Sequence, residues 1–69
     1  MMATQTKQLE DKNLKVIKDQ IEYEALMNKK FSQYSNSCTD QQLKSLCQEL
    51  SGVHRSNFDN LKNYLDSHQ

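Results

Sequence analysis

A scarcity of turn-forming residues most limits what this chain can fold into. Its 69 residues contain no proline and a single glycine, Gly52. A β-sheet protein needs such residues at the end of nearly every strand, so this composition excludes a sheet fold. Long helices remain, and we expect an all-α protein.

Two segments show the three- and four-residue spacing of an apolar helix face. In the first segment a second row flanks the main one, so the apolar stripe is wider than one partner helix requires. The main row of the first segment comprises Leu14, Ile17, Ile21, Glu24, Asn28 and Phe31, and its flank comprises Val16, Tyr23, Met27 and Tyr34. The second stripe comprises Leu43, Leu46, Cys47, Leu50, Val53, His54, Asn57, Phe58, Leu61, Tyr64 and Leu65.

Short polar residues at 35–40 (SNSCTD) separate the two segments. They compete for backbone hydrogen bonds and favour turns. Thr39, followed by Gln42, fits a capping box for the second helix. We therefore expect one helical-hairpin domain over residues 1–69, with 1–7 disordered, a helix over about 8–34, a turn at 35–39 and a helix over about 40–67. A turn centred near Ser37 places Glu24 level with Leu50, about one helical turn from His54.

The size of the chain argues against a stable lone hairpin. A domain this short buries only ~60% of its extended surface, and 35% of its residues are hydrophobic. Each helix of a hairpin covers one side of the other and leaves the second flank of each stripe exposed to water. We therefore expect the antiparallel two-helix hairpin to homodimerise into a ferritin-like four-helix bundle. Its expected interface core comprises Ile17, Ile21, Phe31, Leu46, Leu50 and Leu61.

Charge and hydropathy exclude several functions. Nine basic residues balance nine acidic ones, and no basic run is present to neutralise a nucleic-acid backbone. No apolar run is long enough to span a membrane, and the first residues lack the hydrophobic segment of a signal peptide. On one helix Cys38 and Cys47 would be ~13 Å apart, too far for a disulfide. We therefore expect reduced thiols and an intracellular protein.

Four polar residues interrupt the apolar stripes near the middle of the helices: Glu24, Asn28, His54 and Asn57. Our main interpretation is a hydrogen-bonded polar layer that fixes the register of the helices, as buried asparagine does in coiled coils. The alternative is a metal site that uses Glu24 and His54 from two chains. Cys47 and His54 lie ~10 Å apart along a helix, beyond the reach of a catalytic pair. We therefore predict no catalytic residue, no bound cofactor and no enzymatic activity.

Part of the sequence resembles small ferritin-like proteins of spore-forming bacteria, close to the spore coat protein F family. The resemblance covers about residues 14–65. It rests on Glu24 and on segments 19–20 (DQ), 29–34 (KKFSQY), 40–46 (DQQLKSL) and 54–57 (HRSN). Many of these proteins carry Glu-x-x-His where this chain has His54 and Asn57, so Glu24 alone matches the family's metal ligands.

The resemblance implies a ferritin-like hairpin and a role in sporulation or the spore coat. We accordingly expect a non-catalytic structural protein whose partners are a second copy and other coat proteins, located in the sporulating cell or its coat. Two alternatives remain open: a ferritin-like metal-binding protein, and an adaptor that binds another protein's helix in place of a second copy.

Overall fold

The computed structural model describes residues 10–68, which form two antiparallel helices. Helix α1 spans Asp11–Ser37 and helix α2 spans Gln41–Asp66, and no strand occurs within these residues. The molecule measures 54 × 20 × 11 Å, so it is a single helix thick in its shortest direction. The predicted all-helical hairpin is confirmed. The predicted disorder at 1–7 and the predicted helix start at residue 8 lie outside the described residues.

Helix α1 ends at Ser37 and not at residue 34 as the sequence suggests. Residues 35–37 stay helical because the Ser37 hydroxyl donates to the Gln33 carbonyl (3.1 Å) and Lys44 of α2 donates to the Ser35 carbonyl (3.0 Å). The Lys44 ammonium also places a positive charge at the negative end of the α1 dipole. Contact with α2 therefore overrides the local preference of Ser and Asn for a turn.

Asp40 caps helix α2 at its N-terminus. Its carboxylate accepts a hydrogen bond of 2.7 Å from the backbone N–H of Leu43, and its own backbone is extended. The predicted capping residue, Thr39, is therefore wrong by one position. Asp40 is the stronger cap because its carboxylate also carries a negative charge to the positive end of the helix.

A seven-residue repeat organises the packing of the two helices. Positions a and d of this repeat form the seam between α1 and α2, as in a coiled coil. All of these side chains are buried or half-buried. The seam comprises Leu14, Ile17, Ile21, Glu24, Asn28, Phe31 and Ser35 of α1, and Lys44, Cys47, Ser51, His54, Phe58, Leu61 and Leu65 of α2.

The second flank of each stripe occupies positions c and g and forms one continuous surface, which we call the apolar face. Equivalent flanks of two antiparallel helices lie on the same side of the plane through both axes. Accordingly, Gln20 and Asn57, each at position g, bond the same carboxylate of Glu24. The large exposed residues of the apolar face are Val16, Tyr23, Tyr34, Leu43, Leu46, Val53 and Tyr64.

The opposite side of the hairpin is polar. It carries the exposed ion pairs Arg55–Asp59 (3.3 Å) and Lys62–Asp66 (3.1 Å). Leu26, at position f, points away from both the seam and the apolar face. The hairpin is therefore amphipathic as a whole, apolar on one broad side and charged on the other.

The residues expected at a dimer interface divide between the two surfaces. Ile17, Ile21, Phe31 and Leu61 belong to the seam of the hairpin itself. Leu50, half-buried at position g, lies where the seam meets the apolar face. Leu46 lies on the apolar face and is 49% exposed. Within residues 10–68, neither helix has a stretch long and apolar enough to cross a membrane.

Candidate functional site

A buried carboxylate in the middle of the seam is the chemically most distinctive feature of the hairpin. Glu24 is only 6% exposed. One of its oxygens, Oε1, lies 2.5 Å from His54 Nδ1 and accepts a longer bond of 3.4 Å from Asn57 Nδ2. The other oxygen, Oε2, accepts a 2.9 Å bond from Gln20 Nε2. We call Gln20, Glu24, His54 and Asn57 the Glu24 cluster.

Aromatic side chains hold the His54 ring in place. Phe31 stacks on it with the ring planes 7° apart and the centroids at 5.6 Å. Tyr23 meets it edge-on, with centroids 6.1 Å apart. Because a carboxylate only accepts hydrogen bonds, Nδ1 of the fixed ring is the donor to Glu24.

These contacts determine the charge state of Glu24. The hydrogen bond from His54 lowers the pKa of the carboxyl below its ordinary value of 4.5, against the opposing effect of burial. The bonds from Gln20 and Asn57 act in the same direction as the His54 bond. Glu24 is therefore an anion at neutral pH, held by donors from both helices.

The contact between Glu24 and His54 corrects the register expected from the sequence. A turn centred near Ser37 would set Glu24 opposite Leu50. The turn lies about two residues later, at residues 38–40, so the opposing position on α2 moves by about four residues. That shift is one helical turn, and it brings His54 to Glu24.

A second polar contact lies one helical turn closer to the connection between the two helices. Asn28 Nδ2 donates to the backbone carbonyl and to the hydroxyl of Ser51, both at 2.9 Å. The Ser51 hydroxyl donates in return to the Asn28 carbonyl, also at 2.9 Å. This exchange locks the two backbones at one height. Each buried polar side-chain atom in the described part of the chain has a hydrogen-bond partner.

Of the four residues predicted for the polar layer, Glu24, Asn28 and His54 lie in the seam and Asn57 lies at its edge, and the four form two separate groups. Glu24, His54 and Asn57 share one cluster, whereas Asn28 pairs with Ser51. Gln20 and Ser51 were not predicted from the sequence. Ser51 was detectable from its place in the seven-residue repeat, midway between Lys44 and Phe58. Gln20 resembles any surface glutamine until the register is known.

The chemistry available elsewhere is limited. Cys38 follows the end of α1, so it does not share one helix with Cys47 as expected, and the two free thiols are neighbours. Burial raises the pKa of the Cys47 thiol, and the contact with Cys38 raises it further. A nucleophilic cysteine needs the opposite shift. A shallow depression of about 130 Å³ on the polar side is lined by Ala25, Asn28, Arg55 and Phe58. It presents no pair of groups suited to acid–base catalysis.

Glu24 and His54 are also the residues that would hold a metal. Their facing atoms bond each other, so a metal ion would have to replace that bond. Within residues 10–68, no group of three or more His, Cys, Asp and Glu side chains is arranged to bind an ion. Further ligands would have to come from a second copy, because zinc in proteins usually takes at least three side chains.

Comparisons with protein-family models, characterised proteins and solved structures give no match. The resemblance to the spore coat proteins therefore remains a prediction from the sequence.

Proposed function

We propose that this chain is a non-catalytic assembly protein whose hairpins pair through their apolar faces to form a four-helix bundle. The observation that carries the proposal is the amphipathic hairpin itself. Half-exposed side chains of this size each leave on the order of 100 Å² in water, so the seven on the apolar face together leave on the order of 700 Å². Val16 and Tyr64 lie among amides, and the other five form a patch on the order of 500 Å². The largest apolar patch on an ordinary monomer is roughly 300–600 Å² and often serves binding.

The same area suits a protein partner. A standard interface buries about 800 Å² on each side. A second copy offers an identical apolar face, and a two-fold axis lets each face cover the other. The formal net charge is zero, so two copies do not repel each other. A domain of this size also gains the core that it lacks as a single hairpin.

Two leucines of nearly equal exposure provide a matched test. Leu46, on the apolar face, is 49% exposed, and Leu26, away from it, is 48% exposed. We expect Leu46→Gln to weaken self-association at least tenfold in sedimentation equilibrium, because it puts an amide into an apolar contact. We expect Leu26→Gln to leave association unchanged. Equal effects of the two substitutions would contradict the proposal.

The sporulating cell or the spore coat is the proposed setting, and other coat proteins are the proposed further partners. This part rests on the segments at 29–34, 40–46 and 54–57 that resemble the spore coat proteins. The test is immunodetection of the chain in coat extracts of purified spores and in growing cells of its host. Presence only in growing cells would contradict this setting.

A metal-binding protein is the second candidate, and the direct contact of Glu24 with His54 favours it. A bundle of two hairpins would contribute two copies of this pair. The metal hypothesis predicts that Glu24→Ala abolishes zinc affinity in calorimetry while helicity remains. If the cluster only supports the fold, the unsubstituted protein binds no zinc, and Glu24→Ala changes stability alone.

A further inference from the structure

The apolar face differs strongly between its two ends. In the half next to the turn, six of the eight c and g positions are apolar and the other two are Lys30 and Ser37. The six are Met27, Tyr34, Leu43, Leu46, Leu50 and Val53. In the half next to the open end, most of these positions carry amides, namely Asn13, Gln20, Asn57 and Asn60. Three large apolar side chains, Val16, Tyr23 and Tyr64, remain among them. The face is therefore mainly apolar toward the turn and mainly amide toward the open end.

Two symmetric arrangements of a dimer are possible, with the two turns at the same end or at opposite ends of the bundle. Neighbouring helices run antiparallel in both arrangements, so helix dipoles do not favour either one. The side chains on the face therefore decide between them.

We propose that the hairpins pair with their turns at the same end of the bundle. This inference rests on the proposed self-association. Same-end pairing buries leucine and tyrosine side chains against one another and sets amides opposite amides, which can hydrogen-bond across the interface. Opposite-end pairing would bury those amides against Leu43, Leu46 and Leu50. A buried amide without a hydrogen-bond partner is costly. The change from apolar to amide side chains along the face therefore favours one orientation.

The Glu24 cluster is compatible with this arrangement. Glu24 lies midway along α1, which spans Asp11–Ser37, and His54 lies close to the middle of α2. Two copies that overlap fully therefore bring their clusters to the same height. Gln20 and Asn57 each donate one N–H to Glu24, and an amide has a second N–H and a carbonyl oxygen with which it can bond an amide of the partner.

Spin-label distances test the orientation in the full chain. Single labels are placed at Ser37→Cys beside the turn or at Lys12→Cys beside the open end, in a Cys38→Ser, Cys47→Ala background. The labelled proteins must first match the unsubstituted chain in mass and helicity. Residues 12 and 37 lie ~38 Å apart along α1. Same-end pairing predicts about 20 Å between two Ser37→Cys labels and about 40 Å in mixed dimers with one label at each site.

The opposite result, a long distance between two Ser37→Cys labels and a short one in mixed dimers, would overturn the orientation but leave self-association intact. A mixture of short and long distances between two Ser37→Cys labels would show that both orientations form, which also overturns the inference. A monomeric mass would overturn the proposed function as well.

Amine crosslinking of the unsubstituted chain provides a second test that needs no substitution. Isotopically light and heavy chains are mixed so that links between copies can be identified. Same-end pairing predicts such links within the turn-side lysines (29, 30 and 44) and within the open-end lysines (12, 15, 18 and 62). Links mainly between the two groups would contradict it.

Discussion

At the scale of single residues, Glu24 brings a negative charge into a seam only two helices wide. An unpaired carboxylate would be costly there. His54, Gln20 and Asn57 offset that cost with hydrogen bonds from both helices. A neutral side chain at position 24 would be a weaker hydrogen-bond acceptor for these three donors. The stabilising effect of Glu24 therefore comes mainly from its hydrogen bonds to them.

We expect Glu24→Gln to lower the free energy of unfolding at pH 7 by about 1–3 kcal/mol. Since the pKa of Glu24 is lowered in the folded state, its stabilisation is complete above about pH 4.5 and is lost as the pH falls through the lowered value. The difference in free energy of unfolding between the unsubstituted protein and Glu24→Gln should therefore become smaller in acid. Denaturant titrations from pH 7 to pH 3, at one fixed protein concentration, measure it.

Glu22→Gln is the control for this prediction, because it makes the same change at an exposed position of α1. It should alter stability little at any pH. If the Glu24→Gln difference were as large at pH 3 as at pH 7, the assigned role of the carboxylate would be wrong.

Gly52 is the second informative single residue. It lies inside α2, is exposed on the polar side, and a methyl group added there meets nothing within 4 Å. We expect Gly52→Ala to stabilise the protein by about 1 kcal/mol, the ordinary helix-propensity gain, and to leave its mass unchanged. Thermal unfolding and sedimentation measure the two effects. A destabilised variant would indicate that a neighbouring backbone approaches Gly52 in the assembly.

At the scale of the helices, the sequence predicts both helices and the break between them, because a three- and four-residue spacing is a strong signal. It places the end of α1 three residues too early. The bonds that keep residues 35–37 helical, from Ser37 to Gln33 and from Lys44 to Ser35, depend partly on α2 and are invisible to local propensity. That small error displaced the register by a full turn and separated Glu24 from His54. The sequence could therefore predict which residues face inward, but not which residue of α1 contacts which residue of α2.

The start of α2 gives a prediction that separates the observed cap from the expected one. Asp40→Ala removes the carboxylate that accepts from Leu43 N–H and should cost about 1 kcal/mol of stability. Thr39→Ala should cost much less, because Thr39 is exposed and precedes the cap. Chemical denaturation of the two variants measures the difference. A larger loss for Thr39→Ala would restore the capping box expected from the sequence.

At the scale of the whole molecule, the two surfaces of each helix have separate roles. The seam joins α1 to α2 and contains the buried charge, whereas the apolar face remains open along the hairpin. The hairpin is only 11 Å thick in its shortest direction, so nothing within the described residues covers this face. We propose that a second copy covers it, and this is the central claim.

The most direct test of that claim is the solution mass of the metal-stripped full chain at micromolar concentration, measured by sedimentation equilibrium and repeated with a slight excess of zinc. We predict twice the single-chain mass of 8.1 kDa in both conditions. A folded monomer of 8.1 kDa in both conditions would contradict self-association and favour a different protein as the partner. A dimer that forms only with zinc would contradict assembly by packing alone and make Glu24 and His54 a metal site.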